Sequence, residues 1–311
     1  LVEVYTSDEC YKKHPEYFAL LRGKRDREDS CFTNDGLFNE TVKYIRFMYD
    51  TFDVPAVDIW PNDGLNACGC DGCKGKTMSE QVWEFSDRVA KEVYKTHPNK
   101  LVIGGAYTSY IDPPDTIEKF SPNLAVWISN SGRPKMMQPD HWNEHWARVQ
   151  KWQSKLAPGN IFRSENNRYH ILGTEESNEG RTVRGAPLAY PVIHPRAVAR
   201  ELKALKGISR GDTGEQNQVN GKWKVPGIES ITQYVRARFL WDASLDVDKV
   251  LDEYCQDFYG PAAKQMKAAI DFAEANMAFK DESKRAGRGD IRNVSLKTAL
   301  KLRDLLDEAK A

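Results

Sequence analysis

Strand and helix patterns alternate along the first two thirds of the chain. Short apolar runs bounded by turn residues predict five strands, over residues 56–60, 101–106, 124–129, 161–164 and 207–210. Apolar residues recur at helical spacing between them, over 39–52, 79–94, 141–156 and 196–206, and a short helix is expected after Pro113-Pro114. In the second of these helices Val82, Phe85, Val89 and Val93 form the predicted inner face, and Ser79 is the expected cap.

The remaining third of the chain is predicted to be helical. A long polar loop over 166–185 precedes it, and helices are expected over 228–241, 247–258, 261–277 and 294–309. No phosphate-binding glycine loop follows any strand, which favours a parallel barrel over a doubly wound nucleotide-binding sheet. The predicted fold is α/β and (β/α)8 TIM-barrel-like. Residues 1–225 are expected to form a partial barrel, and 226–311 its closing helix and a C-terminal helical extension.

The beginning of the chain has the pattern of a strand. Residues 1–5 form an apolar run, and we expect them to pair beside the strand at 56–60. Fewer than eight βα units are recognisable, so the barrel is expected to lack its first strands in this chain. We therefore expect the sequence to be part of a longer protein or assembly.

The balance of charged residues bears on whether the chain binds nucleic acid or a membrane. Lysine and arginine together number 45, as do aspartate and glutamate, so no net charge attracts nucleic acid or an acidic membrane surface. No run approaches the roughly 18 apolar residues of a membrane-spanning helix. We expect neither a nucleic-acid partner nor a membrane span.

The segment after the first predicted strand carries the strongest chemical signal. The strand ends at Trp60, and the turn Pro61-Asn62-Asp63-Gly64 presents an amide beside a carboxylate. Barrel enzymes hold their reactive groups at the carboxyl ends of strands, so Asn62 and Asp63 indicate an enzyme. The alternative is that Asp63 is a turn residue that hydrogen-bonds its own backbone.

A compact cysteine cluster follows this turn. Cys68, Cys70 and Cys73 lie within six residues, with glycines between them, and thiolates at such spacing can ligate structural zinc. The fourth ligand would come from elsewhere, and the candidates are Cys10, Cys31, His14 and Asp71. Disulfides and free thiols are the two alternatives. Cys255 lies in the apolar pattern of a helix and is expected in the core.

Several longer stretches carry a family resemblance. They are HPEYFALLRGKR at 14–25, CFTND at 31–35, PNDG with its C-x-C-x-x-C, and the segments 190–207 and 239–263. In this order, over about residues 14–277, they resemble the domain-of-unknown-function 4838 family. That family is similar to TIM-barrel glycoside hydrolases. Some of its relatives, in glycoside hydrolase family 163, are endo-β-N-acetylglucosaminidases, and α-glucuronidase-like barrels are more distantly similar.

The resemblance implies a glycosidase acting on glycans that contain N-acetylhexosamine or uronic acid. Such enzymes place two carboxyl groups on either side of the scissile bond. If three strands precede the chain, Asp63 follows the fourth strand and Glu165 the seventh. Glu215, after the eighth strand, is the competing partner. Solvated loop carboxylates are the alternative for Glu165 and Glu215. No cofactor is expected for catalysis.

Sugar rings need aromatic platforms and polar side chains that bind hydroxyl groups. Such residues follow the predicted strands, and the candidates are Trp60, Asn62, Tyr107, Tyr110, Trp127, Arg133, Asn166, Asn167, Arg168 and His194. His194 could instead form a hydrogen bond at the start of a helix. Trp142, Trp146 and Trp152 recur at helical spacing and are expected to be packing residues.

The second functional class is a barrel without catalytic activity. It would bind glycan or serve as a structural part of a larger assembly, and a close pair of carboxyl groups would distinguish the enzyme from it. For either class the expected partner is carbohydrate, and the expected location is secreted or periplasmic.

Overall fold

The computed structural model describes residues 8–62, 64–131, 133–166, 172–176, 182–187, 192–215, 218–219, 222–223, 226–279 and 294–310. For residues 130–131, 166, 172–176, 182–187, 214–215, 218–219, 222–223 and 226–229 it describes the backbone alone. The chain divides into two compact units. Unit 1 comprises residues 1–129, 146–163 and 207–211, and unit 2 comprises 130–145, 164–206 and 212–311. The expected strand at 1–5 lies outside the described residues, and the predicted division after residue 225 stays a prediction.

Unit 1 begins with helix α1 (Asp8–Lys13) and an antiparallel hairpin of β1 (Phe18–Leu21) and β2 (Lys24–Ser30). Helix α2 (Asp35–Phe52) follows. It starts at Asn34, whose side chain accepts a hydrogen bond from the Leu37 N–H and so satisfies one of the helix's free donors. Its apolar face, including Leu37, Val42 and Ile45, is buried.

A five-stranded parallel sheet forms the centre of the α/β fold. Its order is β3 (Ala56–Asp58), β4 (Leu101–Ala106), β5 (Leu124–Ser131), β6 (Ile161–Asn166) and β9 (Ser209–Glu215). Ala56 pairs with Leu101, and Gly105 pairs with Trp127. The five predicted strands are therefore confirmed as parallel neighbours in chain order. The sheet curls into a half-barrel, which is compatible with part of a TIM-like barrel.

An antiparallel hairpin corrects the predicted polar loop over 166–185, and a second short pair forms farther along the chain. Strands β7 (Leu172–Glu176) and β8 (Thr182–Pro187) form a hairpin, and β10 (Gln218–Val219) pairs with β11 (Lys222–Trp223). The loop prediction was wrong because it relied on apolar content, and backbone pairing can form a hairpin from polar and β-branched residues. The helix expected after Pro113-Pro114 was also wrong, since residues 111–123 form turns and irregular chain.

Helix α3 (Met78–Tyr94) begins two residues earlier than a cap at Ser79 implies. Its cap is Thr77, which accepts a hydrogen bond from the Glu80 N–H, while the Glu80 carboxylate accepts one from the Thr77 N–H. This reciprocal capping box satisfies two donors at once, so it is a better start than Ser79. The predicted inner face is confirmed, with Val82, Phe85, Val89 and Val93 all buried.

Helix α3 packs on the sheet through Trp83, which is fully buried. A Cβ added at Gly104 of β4 would lie 2.7 Å from the Trp83 ring, so glycine permits the close approach. Helix α4 (Pro139–Lys155) carries Trp152, whose ring centroid lies 4.5 Å from that of Trp83. Trp152 is thus confirmed as a packing residue, and Trp142 and Trp146 are half-buried.

Unit 2 holds the helices α5 (Pro195–Ala204), α6 (Pro226–Trp241), α7 (Val247–Tyr259), α8 (Ala263–Ala275) and α9 (Leu296–Lys310). Their apolar faces form one core that includes Val198, Val235, Phe239, Leu251 and Cys255. The predicted C-terminal helices and the core position of Cys255 are confirmed. No helix among the described residues has the length and apolar character needed to span a membrane.

Candidate functional site

A row of aromatic rings and glycines lies across one face of the sheet in unit 1. The Trp60 ring lies against Gly105 of β4, where an added Cβ would be 2.3 Å from the indole. Trp127 of β5 pairs in register with Gly105, and its ring is 5.8 Å from that of Trp60, nearly perpendicular to it. Glycine at 105 therefore lets two tryptophans meet on this face.

The row continues onto the next two strands. Phe162 of β6 lies 6.2 Å from Trp127, measured between ring centroids, and a Cβ added at Gly211 of β9 would be 3.2 Å from the Phe162 ring. We call Trp60, Gly105, Trp127, Phe162 and Gly211 the aromatic face. The Gly104 position meets α3 instead, so the aromatic face is the side of the sheet away from that helix.

The indole N–H groups distinguish these tryptophans from the packing ones. Trp83 donates to the Tyr110 carbonyl and Trp152 to the Ile111 carbonyl, each at 2.9 Å. The Nε1 atoms of Trp60 and Trp127 are buried and have no hydrogen-bond partner among the described residues. Because buried donors are almost always satisfied in folded proteins, these two mark a place for water or a ligand.

Tyr107 extends the aromatic face beyond the end of β4. Its ring centroid is 6.5 Å from that of Trp60, and its side chain is half-buried. Tyr110, also a sequence candidate, is instead buried beneath Trp83, to which its carbonyl is bonded. Tyr110 is therefore a packing residue, and the binding role of Tyr107 stays a prediction.

Glu165 is held by an arginine of α6. Its carboxylate lies 3.5 Å from Arg236 Nε, and its side chain is fully buried. Asp212 of β9 contacts the same guanidinium, at 2.7 Å from Nη2 and 2.8 Å from Nε. We call Glu165, Asp212 and Arg236 the carboxylate–arginine cluster. The shared cation offsets the cost of burying two negative charges, which would otherwise be several kcal/mol for each ion.

Successive side chains of β6 point to opposite faces of the sheet, so Glu165 lies on the face opposite Phe162. Phe162 lies on the aromatic face, and Ile161, Arg163 and Glu165 alternate with it. All three are buried. Sequence reasoning identified Glu165 but missed Asp212 and Arg236. The predicted strand at 207–210 ended two residues before Asp212, and Arg236 lies in a helix, 71 positions from Glu165.

Three other candidates from the sequence have described side chains. Asn62 and Arg133 are half-buried, and Arg133 precedes a short helical turn at Pro134–Met137. His194 is fully buried and directly precedes α5, but its side chain does not cap that helix. Its carbonyl accepts a hydrogen bond from the Val198 N–H, so His194 takes part in the start of α5, and its binding role stays a prediction.

The side chains of the remaining candidates lie outside the part of the chain that the structure describes. Asp63, Asn167 and Arg168 lie outside the described residues, and for Asn166 and Glu215 only the backbone is described. Their catalytic or binding roles stay predictions.

A buried histidine–carboxylate pair in unit 2 was not predicted. His145 of α4 and Glu201 of α5 are both buried, and His145 Nε2 lies 2.9 Å from Glu201 Oε1. Glu201 occupies a position on the inward face of α5 between Val198 and Leu202. The sequence signal that could have found this pair is the carboxylate of Glu201 at a helix position that faces the core.

Four cysteines meet in unit 1. The Sγ atoms of Cys31, Cys68, Cys70 and Cys73 all lie within 4.8 Å of one another, and three of the four side chains are buried. Cys31, directly after β2, was one of the four residues considered as a fourth partner. No disulfide joins any of the six cysteines, all of which lie among the described residues. We call these four residues the cysteine cluster.

Hydrogen bonds surround the cysteine cluster. The Leu20 N–H donates to Cys68 Sγ at 3.3 Å, and the Thr33 hydroxyl lies 3.1 Å from Cys73 Sγ. The hydrogen bond with Cys73 lowers the pKa of the Cys31 thiol, and the same interaction raises the pKa of Cys73. Such coupling is expected when thiols are packed closely enough to share protons.

Comparison with known proteins identifies the family. Residues 2–157 and 183–271 match the family described as domain of unknown function (DUF4838). The chain belongs to this family. The sequence-based recognition is therefore confirmed. No curated protein matches the chain.

Among solved structures, the family fold is similar to that of a glycoside hydrolase. This is CpGH89 from Clostridium perfringens, a variant with two glutamates replaced by glutamine, in complex with its substrate GlcNAc-α-1,4-galactose. The TM-score is 0.51 and the identity is 13%, so the likeness concerns the fold. The match covers 97% of this chain and 33% of CpGH89, so the chain spans about a third of that protein's length.

Proposed function

We propose that this chain is the substrate-binding and catalytic part of a glycoside hydrolase acting on glycans with N-acetylhexosamine or uronic acid. The observation that carries the proposal is the aromatic face, with two buried indole donors that lack a partner among the described residues. The fold similarity to CpGH89, which was solved with an N-acetylhexosamine-containing substrate, supports the choice of substrate class.

The aromatic face has the chemistry that a sugar requires. The C–H faces of a sugar stack on indole and phenol rings, and its hydroxyl groups accept hydrogen bonds from donors at the ring edges. Trp60 and Tyr107 follow the carboxyl ends of β3 and β4, the edge where barrel enzymes bind substrate, and Trp127 lies within β5 with its ring beside that of Trp60. The complete protein would then close a (β/α)8 barrel with strands supplied outside the described residues.

For the chemistry we propose Asp63 as one member of the carboxyl pair, because it follows the strand that carries Trp60. We propose Glu215, the last residue of β9, as the second, because barrel enzymes hold their reactive groups at the carboxyl ends of strands. Glu165 alternates with Phe162 and is paired with Arg236, which favours a positioning role beside the site.

The test uses the full-length protein and a panel of N-glycans and uronate-bearing polysaccharides, with released sugars identified by mass spectrometry. Asp63→Asn and Glu215→Gln should each lower turnover by roughly 10²–10⁴-fold, the usual cost of losing acid–base catalysis. Asp115→Asn is the matched control, since Asp115 is an exposed carboxylate bound to Lys151. Activity unchanged in both site variants would contradict this assignment and direct attention to Glu165.

The burial of Glu165 in an ion pair favours a second candidate, a glycan-binding barrel without hydrolytic activity. It predicts glycan binding that Trp127→Ala abolishes, with no hydrolysis of any bound glycan by the full-length protein. A secreted or periplasmic location is proposed for either case, because both substrates and binding partners of this class lie outside the cell. Fractionation of the native host tests it.

A further inference from the structure

We propose that the cysteine cluster is a structural zinc site with Cys31, Cys68, Cys70 and Cys73 as its four ligands. The inference does not depend on the proposed hydrolase function. It begins with the arrangement of the sulfurs. Tetrahedral zinc with Zn–S distances of ~2.3 Å requires its four sulfurs to be about 3.8 Å apart. All four Sγ atoms lie within 4.8 Å of one another, and Cys31 and Cys70 are 3.5 Å apart.

The backbone around the cysteines fits a closed site of this kind. Glycine at 69 brings its N–H to the Leu20 carbonyl at 2.9 Å, which holds the loop against the β1–β2 hairpin. Cys70 accepts at its carbonyl from the N–H groups of Cys73 and Lys74, so the last two ligands lie on one tight turn. Closed four-sulfur sets are typical of structural zinc, whereas catalytic zinc keeps a position open for water.

Groups outside the four sulfurs support the site. The Leu20 N–H donates to Cys68 Sγ, and the Thr33 hydroxyl contacts Cys73 Sγ. A Cβ added at Gly72 would lie 2.7 Å from Thr33 Oγ1, so glycine there is needed for this hydroxyl to reach the cluster. Donors of this kind stabilise thiolates and orient them toward a metal.

The ion would connect two segments that are distant in sequence. Cys31 follows β2 directly, and the other three ligands lie in the loop between β3 and α3. That loop includes the turn after Trp60. Binding of the ion would anchor the loop and so fix the end of the segment that carries Asn62 and Asp63. Because the metal would bind the folded arrangement of Cys31 and the three loop cysteines and not the unfolded chain, its binding would stabilise the fold by mass action.

The primary experiment measures metal in the full chain purified without a histidine tag and kept reduced. We expect about one zinc per chain. Cobalt substitution should produce the absorption bands of tetrahedral cobalt bound to four thiolates. Cys31→Ser should lose these bands and most of the zinc, and Cys10→Ser is the matched control because Cys10 lies outside the cluster. If Cys31→Ser does not fold, Cys70→Ser, at the half-buried ligand, replaces it.

A second measurement counts reactive thiols before and after chelation. Four further thiols should become reactive when zinc is removed, and the melting temperature should fall in wild type and in Cys10→Ser. Folded, reduced protein with almost no zinc and all of its thiols already reactive would overturn the proposal. Stoichiometric iron in place of zinc would overturn the choice of metal. A mass two hydrogens lower under native conditions would show a disulfide instead.

Discussion

Trp60 lies directly against Gly105, at a distance that no other side chain at position 105 would allow. The neighbouring Gly104 faces the opposite way and meets Trp83 of α3. Two consecutive glycines therefore serve different purposes. Gly104 lets a helix pack on the sheet, and Gly105 lets the aromatic face form. This pair allows the packing role and the binding role to be tested separately.

Gly105→Ala should displace the Trp60 ring and weaken binding of N-acetylhexosamine oligosaccharides. Overpacking of this kind typically costs about 1–3 kcal/mol of stability. The measurements are calorimetric titration with the oligosaccharide and urea unfolding. Gly104→Ala is the control, and it should lose comparable stability because its Cβ meets Trp83, yet retain affinity. Equal loss of affinity in both variants would contradict a specific role for the aromatic face.

Arg236→Met should destabilise the protein by roughly 3–5 kcal/mol, because it leaves Glu165 and Asp212 buried without their cation. The triple variant Glu165→Gln, Asp212→Asn and Arg236→Met should recover much of that loss. Urea unfolding at neutral pH measures both. Arg238→Met, at an arginine whose pair with Glu253 is exposed, should change stability little. No recovery in the triple variant would show that Arg236 acts through packing instead of charge.

The stability of unit 2 should depend on pH through Glu274. Burial raises the pKa of this carboxyl above its usual value and outweighs the opposing hydrogen bonds from Arg196. The folded form then holds the proton more tightly than the unfolded chain. The contribution of Glu274 to stability is thus fully present below the unfolded pKa of about 4.3 and is lost as pH rises through the folded pKa.

Urea unfolding between about pH 4 and 7 tests this with Glu274→Gln, and the stability of wild type relative to the variant should fall as pH rises. Glu253→Gln is a control for which we expect the opposite pH dependence of stability. The hydrogen bond from Arg238 lowers the pKa of Glu253, so that contribution is present above the unfolded pKa and is lost as pH falls. A rise with pH for Glu274 would mean that its ion pair with Arg196 dominates.

Gln81→Leu should destabilise the loop that carries Cys68, Cys70 and Cys73, and it leaves all the sulfurs of the cysteine cluster in place. The buried Gln81 amide accepts from the Cys68 N–H at 3.1 Å and donates to the carbonyls of Cys68, Cys73 and Lys76. Leucine leaves these backbone groups unpaired, at about 1–3 kcal/mol for a buried unsatisfied group. Limited proteolysis should cut within residues 68–76 faster than in wild type. Equal cleavage of the variant and of wild type would contradict the role of Gln81.

The local elements followed from the sequence because their signals are local. The five strands of the sheet carry short apolar runs, and Val82, Phe85, Val89 and Val93 mark the inner face of α3 by their spacing. The family motifs also depend on short stretches such as Pro61–Gly64 and Cys68–Cys73. The errors were local as well. The hairpin of β7 and β8 has little apolar signal, and Thr77 competes with Ser79 as a cap only through its reciprocal bond with Glu80.

Which residues meet was decided by the tertiary structure. No sequence spacing places Cys31 beside Cys70, or Arg236 between Glu165 and Asp212. These contacts arise where the β1–β2 hairpin meets the loop after β3, and where α6 meets the ends of β6 and β9. The sequence by itself determined which residues could act as ligands, platforms or carboxylates, because those properties belong to single side chains. Their grouping depends on strand order and on alternation between the two faces of the sheet, which only the folded chain specifies.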